Sequence, residues 1–294
     1  MKKNPKLEIL APAKVNLFLE VKRKFSSGYH EIETVMQSIG LYDTLTFSLA
    51  KDVSLDCRYP GIPQDKNNLV VKAALLLKSC FKIEQGARIT LLKKIPPGSG
   101  LAGASTDAAA TLWGLNKLWQ LGLSKEELTR IGKELGADVP FCLTGKTALA
   151  GGIGEIIKPL PSLVLTYFVL VCPGIEVSTA FIYKSFKLTN RLKSSNNMIL
   201  ALKEKDGRKA GTLLFNRLEE TTFEHYPFLS LLKQKLIDAG APSALMSGSG
   251  GTLFGIAKSK EQAKEIIKKL RQEIREPVYL VKSISSNRPQ VRYL

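Results

Sequence analysis

A glycine-rich stretch in the first half of the chain has the residue types that bind phosphate. It reads Pro97-Gly98-Ser99-Gly100-Leu101-Ala102-Gly103-Ala104-Ser105-Thr106-Asp107 and leads into an alanine-rich segment with helical composition. Glycine lets a backbone adopt positive φ and approach a ligand closely, and the free amides at a helix start attract anions. The stretch lacks the Gly-Lys-Ser/Thr ending of a Walker A loop, and its bare Gly-x-Gly-x-x-Gly match is weak by itself. We expect a phosphate-binding loop, with an ordinary turn capped by Ser105 or Thr106 as the alternative.

Apolar periodicity predicts the elements that carry this loop. Period-two alternation and helical spacing predict strands at 7–21, 44–49 and 88–94 and helices at 70–80 and 108–121. A turn is predicted at Gly40–Asp43, before the second strand. Ser124 and Glu127 predict a capping box for a further helix, which should end at Gly136 as a left-handed C-cap. Strand and turn are predicted at 145–154.

The second half of the chain also mixes strands and helices. Strands are predicted at 163–172, 253–257 and 278–283, and helices at 178–187, 197–204, 228–239 and 260–274. A second glycine-rich turn, Ser247–Gly251, suits either a tight hairpin or a ligand contact. The mixture without a steady βαβ repeat predicts an α+β fold. Two prolines in Lys158–Ser162 predict a boundary between domains 1–160 and 161–294.

Bulk properties limit the function classes. The chain has 294 residues, a hydrophobic fraction of 44% and no apolar run long enough for a membrane helix. The lysines at its start are not followed by the apolar run of a secretory signal, so we expect a cytoplasmic protein without a membrane partner. The four cysteines are far apart, which argues against a zinc site or a disulfide framework.

The net charge of +17 is spread over both halves of the chain. Such a charge suits nucleic acid or strongly anionic small molecules. Because no basic helix or aromatic RNA-binding strand accompanies it, we favour attraction of polyphosphates and expect no nucleic-acid partner.

Three stretches together resemble the GHMP kinases. They are Pro12-Ala13-Lys14-Val15-Asn16-Leu17, the loop at 97–105, and the turn Ser247–Gly251. Two further motifs resemble those of the family member that phosphorylates a cytidine-diphosphate sugar alcohol. They are Gly28-Tyr29-His30-Glu31 and Leu135-Gly136-Ala137-Asp138-Val139-Pro140-Phe141. The resemblance runs in order from about residue 10 to about 255. It implies a two-domain fold, with an N-terminal ATP-binding domain of the ribosomal-protein-S5-like type, a C-terminal α+β domain and the active site between them.

The resemblance also implies roles for individual residues in the transfer of a phosphoryl group from ATP. Asp138 would be the general base, and Lys14 would lie beside it and stabilise the emerging alkoxide. Asn16 would hydrogen-bond the substrate. The phosphates would contact the loop residues Pro97, Gly98, Ser99, Gly100, Leu101, Ala102, Gly103, Ala104, Ser105 and Thr106. Magnesium is expected with ATP, but its ligands are not assigned.

The cytosine pocket is implied in the same way. Tyr29 and His30 would hold the base, Tyr183 would stack on its other face, and Thr179 would add a polar contact. A monomer or weak homodimer is expected. The remaining alternatives are another GHMP kinase, of the homoserine or mevalonate type, or a basic nucleic-acid-binding protein.

Several of these residues also have a purely structural interpretation. Asp138 could be the N-cap of a short turn, and Lys14 a solvent-facing lysine on a strand. Asp107, at a loop position where relatives usually have asparagine, could bind magnesium or favour the helix N-terminus. His225 has no motif around it and is assigned no role.

Overall fold

The computed structural model describes residues 6–163, 166–285 and 290–293. Elements are numbered in chain order. In the first half they are β1 (Leu7–Lys24), β2 (His30–Ala50), β3 (Ser54–Asp56), α1 (Leu69–Phe81), β4 (Gly86–Leu92), α2 (Gly103–Leu118), α3 (Lys125–Gly132), α4 (Val139–Thr144), β5 (Thr147–Gly151) and β6 (Ile156–Pro159). In the second half they are β7 (Tyr167–Val171), α5 (Thr179–Ser185), α6 (Asn196–Lys203), α7 (Gly207–Thr212), β8 (Phe215–Asn216), α8 (Glu219–His225), α9 (Phe228–Asp238), β9 (Ser243–Met246), β10 (Leu253–Ala257), α10 (Lys260–Glu273), β11 (Val278–Lys282) and β12 (Gln290–Tyr293).

The first sheet is built on a long antiparallel hairpin of β1 and β2. Its main strand order is β12-β1-β2-β4-β3, with β5 paired to β2 and β6, and β8 paired to β1. Apolar side chains of this sheet, such as Phe47, pack against Leu77 of α1 and Leu112 of α2 in one buried cluster. The helices therefore cover one face of the sheet, and α2 lies where the glycine-rich loop ends.

The second sheet has the order β11-β7-β10-β9 and is covered on both faces. Phe168 and Leu170 of β7 pack with β1 and β2 residues, including Val15, in a shared cluster. Val169 and Val171, on the opposite face of β7, pack against α9 and α10. Burial on both faces explains why this strand is a continuous apolar run in the sequence. The shared cluster joins the two halves through a hydrophobic contact.

Most of the predicted elements are present with shifted ends. The capping box at Ser124 and Glu127 is formed, and the strand at 253–257 and the helix at 260–274 fall within one residue of prediction. Residues 164 and 165 of the predicted strand 163–172 lie outside the described residues. The short elements α4, α7, α8, β3, β6, β8, β9 and β12 were not predicted.

The predictions of one turn and of one helix end are wrong. The predicted turn at Gly40–Asp43 lies inside β2, where the pairing with β1 shifts between Pro12 and Ala13. A β-bulge there absorbs extra residues without ending the strand. The helix α3 ends at Gly132, not at Gly136. After Gly132 the chain continues in tighter turns, because the amides of Glu134 and Leu135 donate to the carbonyls three residues before them.

The division into domains at residue 160 stays a prediction. The chain leaves the first sheet after β6 and starts the second sheet with β7. However, β8 pairs with β1 at Phe18–Leu19, and β12 pairs with β1 at Leu7–Leu10. The second half therefore returns twice to the first sheet. Among the described residues, no helix is long and apolar enough to cross a membrane.

Candidate active site

A cleft of about 950 Å³ lies between the two halves of the molecule. Its walls come from β1, the turn between β1 and β2, the glycine-rich loop, the start of α4, the helix α5 and the turn between β9 and β10. Of the residues singled out in the sequence, it is lined by Lys14, Asn16, Tyr29, His30, Gly98, Ser99, Gly100, Ala102, Gly103, Ala104, Ser105, Asp138, Thr179 and Tyr183. Residues up to 235 positions apart in the chain thus line one cleft.

Lys14 and Asp138 meet at one side of this cleft. The Nζ of Lys14 lies 3.6 Å from Oδ2 of Asp138, and it donates hydrogen bonds to Oδ1 of Asn16 at 2.8 Å and to the carbonyl of Gly100 at 3.0 Å. Lys14 and Asn16 are two residues apart on β1, so their side chains lie on the same face. The amide of Asn16 donates to Thr34 at 2.8 Å, which directs its oxygen toward Lys14. The ammonium is fixed by two hydrogen-bond acceptors and the ion pair with Asp138, whose side chain is 34% exposed.

The structural interpretations of these two residues do not hold. Asp138 does occupy the position before α4, but its side chain makes no capping hydrogen bond there within the part of the chain that the structure describes. Lys14 is not a solvent-facing lysine, because its side chain is only 5% exposed. Both are arranged instead around the cleft.

The two glycine-rich segments pack directly against each other. Gly100 has a φ of +77°, and a Cβ on it would lie 2.2 Å from the carbonyl oxygen of Ser247. The hydroxyl of Ser247 donates to the Gly100 carbonyl at 2.9 Å, and the amide of Thr252 donates to the Ser99 carbonyl at 3.1 Å. The turn Ser247–Gly251 is thus a hairpin turn between β9 and β10 that also supports the loop.

The start of α2 leaves backbone amides available for an anion. Ala102 precedes the helix with a left-handed φ of 57°, and among the described residues no side chain caps this end. The first helical hydrogen bond runs from the amide of Thr106 to the carbonyl of Ala102. Because Ser105 and Thr106 lie inside α2, neither is its N-cap. Free amides, the helix dipole and a close backbone make this end suitable for phosphate.

Three residues of the predicted phosphate loop do not line the cleft. Leu101 and Thr106 are buried, and Pro97 is half-buried. Leu101 contributes through its backbone, since its carbonyl accepts the Lys14 amide at 3.1 Å.

The other end of the cleft is aromatic. The rings of His30 and Tyr183 have centroids 5.3 Å apart, which leaves no space for a base between them. Tyr29 is 62% exposed at the tip of the β1–β2 turn. The hydroxyl of Thr179 lies 2.9 Å from that of Ser249. A flat ligand can therefore contact Tyr29 and the outer face of the His30–Tyr183 pair.

Burial shifts the ionisation of this aromatic pair. The pKa of His30 is lowered, first by burial and then by the charge of Lys24. The pKa of the Tyr183 phenol is raised, first by burial and then by the charge of Asp138. Both side chains are therefore neutral at pH 7. A neutral imidazole offers one hydrogen-bond donor and one acceptor.

Asp107 faces away from the cleft. Its Oδ2 accepts a hydrogen bond from Lys93 at 2.8 Å, and its side chain is 3% exposed. Burial raises the pKa of this carboxyl to about 8, although the charge of Lys93 opposes the shift.

Within the described ranges, no group of three His, Cys, Asp or Glu residues could hold a metal ion. The ring of His225 packs 4.8 Å from that of Phe181.

Several cleft residues were missed by sequence reasoning. They include Lys24, Ser27 and Lys184. Gly248 and Ser249 also line the cleft, in the turn for which a ligand contact was one of two predicted alternatives. The two lysines add positive charge to the cleft. No signal in the sequence separates them from the other surface lysines, whereas the second turn was recognisable by its glycines.

Family comparisons agree with this combination of fold and cleft. The description "GHMP kinases N terminal domain" matches residues 68–146, and "GHMP kinases C terminal" matches residues 198–276. The chain belongs to the GHMP kinases, a family of ATP-using enzymes that act on small molecules.

Within this family, three proteins named as the same kinase match most of the chain. A 4-diphosphocytidyl-2-C-methyl-D-erythritol kinase from Shouchella clausii is 44% identical over 285 residues, which is 96% of each chain. The protein of that name from Listeria innocua is 45% identical and covers 96% of this chain and 98% of its own. A crystal structure of 4-(cytidine 5'-diphospho)-2C-methyl-D-erythritol kinase superposes with a TM-score of 0.81 at 32% identity, covering 95% of this chain and 100% of the other.

Proposed function

We propose that the chain transfers the γ-phosphoryl group of ATP to the 2-hydroxyl of 4-diphosphocytidyl-2-C-methyl-D-erythritol, giving the 2-phosphate and ADP in the non-mevalonate isoprenoid pathway. One observation carries the proposal. The Asp138 carboxylate and the Lys14 ammonium converge at 3.6 Å in a cleft that has a glycine loop at one end and an aromatic pair at the other. The names of the relatives supply the acceptor.

The proposed reaction is an in-line displacement at the γ-phosphorus. The 2-hydroxyl oxygen of the acceptor attacks, the bond to the β–γ bridging oxygen breaks, and ADP leaves. Asp138 takes the hydroxyl proton, for which its partly exposed carboxylate faces the cleft. Lys14 stabilises the developing alkoxide from a position fixed by Asn16 and Gly100. A base of this kind contributes about 10²–10⁴-fold to the rate.

The nucleotide phosphates are proposed to lie against the start of α2. The free amides there and the hydroxyl of Ser105 suit a polyphosphate. Magnesium would accompany ATP and neutralise its charge, held largely by phosphate oxygens and water because Mg²⁺ keeps several of its waters. The cytosine would contact Tyr29, His30 and Tyr183, with Thr179 adding a polar contact.

A coupled assay of ADP release tests the proposal. Wild type should turn over the cytidyl acceptor with ATP and magnesium, but neither homoserine nor mevalonate. Asp138→Asn and Lys14→Ala should each lower kcat by about 10²–10⁴-fold. Tyr183→Ala should mainly raise KM for the acceptor, with Phe181→Ala on the same helix as its control. Wild-type kcat in Asp138→Asn would remove the base, and turnover of homoserine or mevalonate alone would replace the acceptor.

The positive charge is proposed to attract anionic substrates and not nucleic acid. Lys14, Lys24 and Lys184 bring part of it to the cleft. Binding of generic DNA or RNA with a steep salt dependence would contradict this interpretation. The chain is also proposed to be a monomer or weak homodimer. Sedimentation velocity over a range of concentrations tests this state.

A further inference from the structure

Three ionisable side chains form a buried cluster beneath the glycine-rich loop. Lys93 follows β4, Asp43 lies on β2 and Asp107 lies in α2. The Nζ of Lys93 donates to Oδ2 of Asp43 at 2.5 Å and to Oδ2 of Asp107 at 2.8 Å. The side chains are 3%, 0% and 3% exposed, respectively. The proposed chemistry uses none of them.

The cluster ties together the two ends of the loop. The second oxygen of Asp43 accepts hydrogen bonds from the backbone amides of Lys94 at 2.5 Å and Ile95 at 2.8 Å. These residues lead into the loop, whereas Asp107 belongs to the helix that leaves it. Through the Lys93 ammonium, the segment before the loop, the helix after it and β2 are fixed to one another.

The ammonium also lies directly below the proposed phosphate site. A Cβ on Gly103, the first residue of α2, would be 3.1 Å from Nζ of Lys93. The distance between this end of the helix and the sheet is therefore set by the lysine and its two carboxylates. A larger residue at position 103 would displace either the lysine or the helix.

Stability alone does not account for this cluster. Buried charges lose hydration that their mutual attraction repays only in part, and apolar side chains of similar volume are often as stabilising. Among the described residues, Oδ1 of Asp107 has no hydrogen-bond partner, which adds to the cost. Unlike an apolar core, the cluster makes directional hydrogen bonds to the backbone before the loop and to α2.

We propose that Asp43, Lys93 and Asp107 are positioning residues that hold the two ends of the phosphate loop at the separation needed to bind ATP. The proposal rests on the proposed function for the position of the phosphates. It assigns these residues no contact with either substrate. Loss of the bonds should weaken ATP binding and leave acceptor binding unchanged.

Calorimetric titration of ATP in magnesium buffer, without the acceptor, tests the proposal. Lys93→Met should raise the Kd for ATP about tenfold or more, since small displacements of a binding group cost this much. Leu77→Ala, in the core between α1 and the sheet, is the control for lost stability and should bind ATP within about twofold of wild type. The acceptor KM of Lys93→Met, measured at saturating ATP, should stay within about twofold of wild type.

A second pair of variants keeps the test decisive if Lys93→Met folds poorly. Asp107→Asn retains an oxygen for Lys93 and should bind ATP nearly as wild type does, whereas Asp107→Leu has no acceptor and should lose about tenfold in affinity. Wild-type affinity in Asp107→Leu, or equal losses in Leu77→Ala and Lys93→Met, would overturn the proposal. Because these are ATP affinities, they decide it even if wild type fails to phosphorylate the cytidyl acceptor.

Discussion

The helices α2 and α3 are neighbours in the chain, but they begin in opposite ways. At α3 the Ser124 hydroxyl accepts the Glu127 amide at 3.2 Å, and the Glu127 carboxylate accepts the Ser124 amide at 2.8 Å. Two acidic residues lie in its first turn. At α2 the preceding residue is Ala102 in a left-handed conformation, no acidic residue lies in the first turn, and no side-chain cap occurs among the described residues.

The difference separates stability from binding. The backbone amides at the start of α3 are capped by residues of its own local sequence, as expected for a helix start that binds no ligand. The start of α2 leaves its amides free and is supported by distant residues, through the turn that contains Ser247 and the cluster around Lys93. We infer that the start of α2 lacks the stabilisation of a side-chain cap because its free amides bind a ligand instead.

Among the changes that test this contrast between α2 and α3, the largest effect should come from adding one methyl group to the loop. Gly100→Ala places a Cβ 2.2 Å from the Ser247 carbonyl oxygen at a φ of +77°. The two glycine segments must then separate, and kcat/KM for ATP should fall by about 100-fold. Gly122→Ala is the control, since Gly122 has a φ of +69° but no atom within 4 Å of its Cβ position.

The control variant should lose only about 1–2 kcal/mol of stability through left-handed strain, with unchanged kinetics. Steady-state assays and urea unfolding of both variants make the measurement. Wild-type kinetics in Gly100→Ala would mean that the contact between the two turns does not shape the site.

A negative charge at the start of α2 should have opposite effects on folding and function. Ala104 is exposed in the first turn and lines the cleft. Ala104→Asp should stabilise the protein without ligand by about 0.3–1 kcal/mol through the helix dipole. The same charge should repel the polyphosphate and raise KM for ATP about tenfold. Ala104→Asn is the control for side-chain size. If Ala104→Asp left the Kd for ATP unchanged, the phosphates would not lie against the start of α2.

The contrast between α2 and α3 also explains how far sequence reasoning reached. The capping box of α3 is a local signal, and it was predicted and found. The glycine loop was recognised, but its helix was predicted to begin at Ala108, whereas it begins at Gly103. The usual cap residues are absent there because the end is shaped by contacts 147 residues away in the chain, such as Ser247 with Gly100.

Other parts of the site could not be predicted from the sequence for the same reason. Lys93 is followed by Lys94 at the end of an alternating strand, so both resembled ordinary strand lysines. Only the pairing of β2 with β4 and the packing of α2 bring Asp43 and Asp107 to it. Motifs with local geometry could be predicted, whereas charge clusters made by tertiary contacts could not.

Removing the carboxyl group of Asp107 should change how stability depends on pH. Burial raises the pKa of this carboxyl from 3.8 to about 8, with Lys93, Asp43 and the buried Cys142 thiol as its charged or titratable neighbours. Between these values the folded state keeps a proton that the unfolded state releases. Wild-type stability should therefore fall as pH rises from about 4 to about 8, by an amount on the order of a few kcal/mol.

Asp107→Asn lacks this group, so its stability relative to wild type should increase across the same window and level off above about pH 8. Urea unfolding at several pH values measures the difference. A constant difference from pH 5 to pH 8 would show that the carboxyl is ionised throughout, with Lys93 outweighing burial.

The smallest effect compares two helix caps of the same kind. Ser124→Ala at α3 and Ser178→Ala at α5 each remove a hydroxyl that accepts an amide in the first turn, and each should cost about 1 kcal/mol. The kinetics should differ, because α5 carries Thr179 and Tyr183 into the cleft, whereas α3 contributes no lining residue. Ser178→Ala should raise the acceptor KM about two- to fivefold, since loosening one helix turn misplaces a binding group. Ser124→Ala should leave both KM values unchanged. If the two variants lost equal stability and had equal acceptor KM values, α5 would not position the acceptor. The contrast with α3 would then be limited to the start of α2.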